Sequence, residues 1–139
     1  MPNGVFRRVV RVGPYAVKLP RWHVFGAGMR CNRWEREMWT VWRPVFGWAN
    51  LCPILFSDTF GFVVIMPWAY QPVTPDQVIV GSPDNYPEIT SEYKPADCGL
   101  LNGKIVALDY GIWDADLVDE ARAYFKEKAM QIQPPSNAG

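Results

Sequence analysis

Lys18 stands in the apolar stretch Ala16-Val17-Lys18-Leu19, Glu35 in the run Asn32–Trp42, and Asp97 and Asp109 at the two ends of the segment Cys98–Leu108. A polyphosphate needs a fixed cation, and a strand lysine supplies one when a carboxylate on a neighbouring helix orients its ammonium. Mg²⁺ takes hard oxygen ligands from a small number of carboxylates, with phosphate and water completing its shell. Asp97 and Asp109 can meet at one such ion. The chain after Phe62-Val63-Val64-Ile65-Met66 offers backbone groups that can read an adenine edge. The chemistry these residues allow together is the binding of a nucleoside triphosphate with Mg²⁺.

Each residue also has a plainer reading. A strand lysine is commonly solvated, Glu35 lies three residues after Asn32 as a helix-capping glutamate would, and Asp109-Tyr110-Gly111 can simply end a strand in a turn. Arg7, Arg8 and Arg11 can touch phosphate, or form one solvated strand face. His23 has no residue near it in sequence to make it a base. Cys31, Cys52 and Cys98 are odd in number and lack metal-ligand spacing, so buried free thiols are expected.

The elements that must position these groups follow from pattern. Residues 5–12 and 15–19 read as two strands joined at Gly13-Pro14, and Pro20 ends the hairpin. Gly26 and Gly28 suggest a flexible approach to a helix capped by Asn32, running to about Trp42 and stopped by Pro44. Met38, Trp39 and Trp42 share a face with Glu35, while Glu37 points elsewhere. Strands are expected near 52–57 and 61–66, the second buried on both faces. Residues 71–90 read as loop with one helical turn from Thr74-Pro75. Leu100–Leu108 reads as a second hairpin around Asn102-Gly103. Asp114 or Asp116 caps a closing helix to about Lys128, with Leu117, Ala121, Tyr124 and Phe125 inward. The expected fold is α+β, a single domain over residues 1–130 with a frayed tail at 131–139.

Bulk properties narrow the function. The chain has 139 residues, 49% hydrophobic and 20% charged, and a formal net charge of zero. Neither a nucleic-acid partner nor a membrane is expected from that balance, from the lack of a long basic stretch, or from the short apolar runs. Trp34, Trp39, Trp42, Trp48 and Trp68 read as packing residues, or as a protein-binding patch if exposed. A cytoplasmic location is expected.

The order of the pieces resembles the protein-kinase-like superfamily, and more narrowly the small kinase-like proteins of tailed bacteriophages. PYAVKLP is similar to the strand with the phosphate-binding lysine, and NRWEREMW to the helix with its glutamate partner. MPWAY is similar to the hinge, which assigns Met66 and Trp68 to the adenine side. EYKPADCGLLNGKIVALDYG resembles the catalytic loop, its hairpin and the metal-binding motif. By that resemblance Asp109 is the metal-binding aspartate, Asp97 takes the place of the metal-binding asparagine, and Glu92 that of the catalytic aspartate. It covers roughly residues 4–20, 32–42, 51–70 and 91–111.

The chain departs from that pattern at several points. Glu92 is one methylene longer than aspartate, and neither a glycine-rich loop before Lys18 nor a substrate-docking lobe after Gly111 is expected. The resemblance therefore implies a reduced kinase-like fold and a phage-encoded pseudokinase binding ATP and Mg²⁺, a host or virion protein, or both. Its alternatives are a minimal phosphotransferase with Glu92 as base, and a non-enzymatic interaction protein using an inherited scaffold.

Overall fold

The computed structural model describes residues 5–81 and 95–132, with the backbone alone at 79–81. Strands β1 (Arg7–Val12) and β2 (Tyr15–Pro20) form the antiparallel hairpin expected around Gly13-Pro14, with Val10 opposite Val17 and Val9 opposite Lys18. β3 (Phe56–Ser57) and β4 (Val64–Pro67) complete a four-stranded antiparallel sheet in the order β1-β2-β4-β3. β5 (Cys98–Leu101) and β6 (Lys104–Ala107) make a separate hairpin. Its turn residues Asn102 and Gly103 both have positive φ, 51° and 78°, the backbone that an Asn-Gly turn favours. The fold is mixed α+β, as expected.

Helix α1 (Phe25–Glu37) begins well before the expected cap. Gly26 and Gly28 are inside it, and Asn32 lies in its interior, fully buried. Gly28 marks a close approach, not a flexible entry. A Cβ there would sit 2.5 Å from Pro20 Cβ and 2.6 Å from the Phe6 carbonyl oxygen, so the missing side chain lets the helix lie against the hairpin. The chain continues through a π-helical stretch, Met38–Trp42, into the short α2 (Arg43–Phe46), with Pro44 in its first turn. Pro44 does not stop the helix: it follows the π-helical stretch, where Arg43 N reaches back to Met38 O and the Arg43 side chain donates to the Trp39 carbonyl at 3.0 Å.

The expected strand over 52–57 is shorter than its sequence suggests. Pro53 lacks an N–H to give a ladder, and residues 50–52 pair elsewhere. Ala107 N donates to Asn50 O (2.7 Å) and Cys52 N to Ala107 O (2.9 Å), which ties this segment in parallel to β6. It links the sheet to the second hairpin. Val64 and Met66 are buried, while Ile65 between them is only half-buried, so β4 is not enclosed equally on both faces.

Helix α3 (Pro75–Gly81) extends the single turn expected at Thr74. Thr74 and Gln77 exchange side-chain-to-backbone bonds of 3.1 and 2.8 Å, a reciprocal cap. Helix α4 (Ala115–Ile132) is capped by Asp114, whose Oδ1 accepts from Asp116 N and Leu117 N. Its inward face is Val118, Ala121 and Phe125. Leu117, expected inward, is exposed, because the 3-4 spacing of Val118, Ala121 and Phe125 turns it to the solvent side.

Phe125 stands at the centre of an aromatic core. Trp42, Phe46 and Trp48 lie 5.3–5.5 Å from its ring and Trp34 stacks at 6.3 Å. Trp34, Trp42 and Trp48 are packing residues, as read from sequence. Cys31, Cys52 and Cys98 are free, buried thiols. Burial pushes Cys31 and Cys98 up to about 11 and Cys52 up to about 12. Among the described residues, no helix is long and apolar enough to cross a membrane.

Candidate functional site

Three of the residues singled out from sequence come together. β2 carries Lys18 on a buried face, and α1 presents Glu35 to it after packing on the hairpin at Gly28. Lys18 Nζ lies 3.0 Å from Glu35 Oε2 and 3.1 Å from Oε1. The same ammonium donates to the carbonyl of Leu108, the residue before Asp109. The chain leaving β6 thereby reaches both partners, and Tyr110 N donates to Glu35 Oε2 at 2.9 Å.

The residue that joins the rest is Arg7. Its guanidinium grips Glu35 in a two-point arrangement, Nη1 to Oε1 at 2.5 Å and Nη2 to Oε2 at 3.1 Å. Nη2 also donates to Asp109 Oδ1 at 2.7 Å, and Nη1 to Asn32 Oδ1 at 3.1 Å. Asn32 turns its amide to the carbonyls of Gly61 (2.9 Å) and Lys18 (3.3 Å). Arg7 is thus no member of a solvated strand face; at 5% exposure it is a core residue of β1, whereas Arg8 and Arg11 are exposed. Strand alternation puts Arg7 and Arg11 on one face of β1, which gave no reason to separate them. Nothing in the sequence alone marked Asn32 as more than a cap.

The electrostatics follow from burial and pairing. Burial raises the Glu35 carboxyl, but Arg7, Lys18 and the Tyr110 N–H together outweigh it and hold the group down to about 2. Lys18 is lowered by burial, against the pull of Glu35. Arg7 is raised, its burial being outweighed by Glu35 and Asp109. Two cations face two carboxylates, so the cluster is balanced. Glu35 accepts from both cations and a backbone amide, and the three protons of Lys18 face three acceptors.

Asp97 lies half-buried just before β5, its carbonyl accepting from Leu108 N (2.8 Å) across the hairpin. That bond sets it one residue short of Asp109. Among the described residues no group of three or more His, Cys, Asp or Glu could hold a metal. Glu92 lies outside the described residues. Met66 is fully buried, paired with Ala16 in the sheet. Trp68 N donates to Pro14 O (2.8 Å), and Arg11 lies over the Trp68 ring at 4.7 Å. Tyr70 and Leu100 exchange backbone bonds at 2.9 Å in both directions. The backbone expected to read an adenine edge is therefore largely engaged with its own chain.

In this arrangement Lys18, Glu35 and Asp109 are engaged with Arg7, with one another or with backbone groups. The lysine donors face internal acceptors, Asp109 Oδ1 accepts from Arg7, and Ala16, Met66 and Ala69 are fully buried, Ala69 against Gly99 of the second hairpin. What the arrangement does chemically is hold β1, β2, α1 and the segment after β6 with one shared charge cluster. Comparison with family models, curated proteins and solved structures finds no match to this chain.

Proposed function

We propose that this chain is a non-enzymatic interaction protein on a reduced kinase-like scaffold. Its lysine–glutamate pair serves as a buried clasp and not as a phosphate site. The observation that carries this reading is Arg7, whose guanidinium joins Glu35 and Asp109 with bonds of 2.5–3.1 Å. A buried arginine bonded to two carboxylates stands where a nucleotide-binding arrangement needs an open aspartate. Removing one partner from such a cluster leaves an uncompensated buried charge, which makes the arrangement hard to open.

A second reading keeps the pseudokinase with ATP and Mg²⁺, favoured by the 3.0 Å contact between Lys18 and Glu35. It requires Arg7 to release Asp109, whose side chain is about half exposed. Thermal melting in millimolar ATP and Mg²⁺ separates the two. The clasp predicts no rise in Tm, whereas a saturable rise that disappears in Asp109→Ala overturns it, since ligand bound only to the folded state must stabilise it. Incubation with labelled ATP and host lysate tests the phosphotransferase alternative. No label should be transferred; label lost in Glu92→Gln would establish an enzyme.

A further inference from the structure

The turn between β3 and β4 displays two phenylalanines outward and is held by the side chains of Asp58, Asn32 and Arg33. Phe60 is 67% exposed and Phe62 49%. Asp58 accepts from Phe60 N (3.1 Å) and Val63 N (2.8 Å), and the buried Asn32 donates to Gly61 O (2.9 Å). Arg33 Nη1 donates to Phe60 O at 3.1 Å. Gly61 has φ +95° and lies so close to α1 that a Cβ would come within 2.3 Å of Met29 O. Large exposed apolar side chains on a fixed backbone lose little freedom on binding, which is what a recognition surface needs.

Two arginines flank the turn, Arg33 and Arg36. Residues 1–62 contain eight arginines and Lys18 against three acids, Glu35, Glu37 and Asp58. Glu35 is buried in the clasp, and Glu37 is bound by Arg122 at 2.8 and 3.0 Å. Arg33 and Arg36 stand at the turn and its groove, the Asp58 carboxylate is taken up by the turn's own amides, and Lys18 is buried. Beside the turn runs a groove of about 280 Å³ lined by Arg33, Arg36, Glu37, Thr40, Val41 and Thr59. At the other side, Phe25 of α1 packs against Phe62 at 5.9 Å, and Phe62 against Phe60 at 6.1 Å.

We propose that Phe25, Phe60 and Phe62, with the Arg33–Arg36 groove, form a docking face for an acidic protein segment that carries apolar side chains. This names the kind of partner in the interaction-protein reading and rests on it. Arginine and aromatic residues without exposed lysine are the composition of protein interfaces. Arginine forks pair carboxylates at two points. The groove is short and offers two arginines, few for a nucleic-acid backbone that binds by neutralising many phosphates.

A random twelve-residue peptide display library, panned on the wild-type chain and counter-selected on the Phe60→Ser/Phe62→Ser variant, tests the proposal. Far- and near-UV circular dichroism confirms that the variant folds. The selected pool should be acidic and rich in Leu, Phe or Trp. A selected peptide, fluorescently labelled, should lose roughly tenfold or more in affinity with the double variant and with Arg36→Glu. It should also bind less tightly as salt rises. A pool that is neutral or basic, or affinity unchanged in both variants, overturns the proposal. So does tighter binding to oligo(dT) or to phosphatidylserine vesicles than to any selected peptide. If the interaction-protein reading itself fails, that appears separately, as ATP-dependent stabilisation or label transfer with this face's peptide result unchanged.

Discussion

Arg7, Lys18, Glu35 and Asp109 behave as one unit, so substitutions among them should be unequal. Glu35→Gln leaves two buried cations facing a neutral amide, and is expected to destabilise by about 3–5 kcal/mol. Lys18→Met should cost less, because Glu35 keeps its two-point contact with Arg7 while the burial cost of an ammonium is removed. Urea unfolding of both variants gives the comparison; equal losses would mean that Lys18 and not Arg7 is the main partner. Acid gives an independent check. Glu35 is held at about 2 against an ordinary 4.5, a depressed carboxylate. The stability it contributes is complete above pH 4.5 and is lost as pH falls toward 2, with a total on the order of 3 kcal/mol. The unfolding free energy of wild type should therefore fall across that window more steeply than that of Glu35→Gln.

At the level of elements, what the sequence revealed depended on whether the signal was local. Gly13-Pro14 and Asn102-Gly103 fixed two hairpins, because each turn's backbone is specified by its own residues. Asp114 capped α4 for the same reason. The start of α1 is not legible in the sequence, because glycine as a breaker and glycine as a packing point look alike before the partner strand is known. Gly28→Ala should make the difference plain. Its Cβ would strike Pro20 and the Phe6 carbonyl, so a loss of roughly 2 kcal/mol or more is expected, where an ordinary helix glycine would gain about 1. The site was partly legible for a related reason. Lys18 and Glu35 sit on elements with clear periodicity, whereas Arg7 is identified only by the distant groups it meets, and the pairing of 50–52 with β6 depends on a proline that the pattern passed over.

For the molecule as a whole, α4 is the element that closes the core. Phe125 touches Trp34, Trp42, Phe46 and Trp48, which come from three successive helical segments and the loop beyond. Phe125→Ala should cost about 3–5 kcal/mol, measured as a fall in the denaturation midpoint. Arg122→Ala, which removes partly exposed pairs with Glu37 and Asp119 and a contact over the Trp34 ring, should cost about 1 kcal/mol. Cooperative unfolding by tryptophan fluorescence and by circular dichroism should coincide, since the sheet, the second hairpin and both long helices meet around this one aromatic centre.

The three cysteines give that cooperativity a clock. Cys31 belongs to α1, Cys52 to the segment that bridges toward β6, and Cys98 to β5. Each is shielded from water and carries a proton at neutral pH, so a thiol-modifying reagent reaches it only when its own neighbourhood opens. Brief pulses of such a reagent, read site by site by mass spectrometry, would therefore report the sequence in which the three regions let go, without any label having been engineered into the chain.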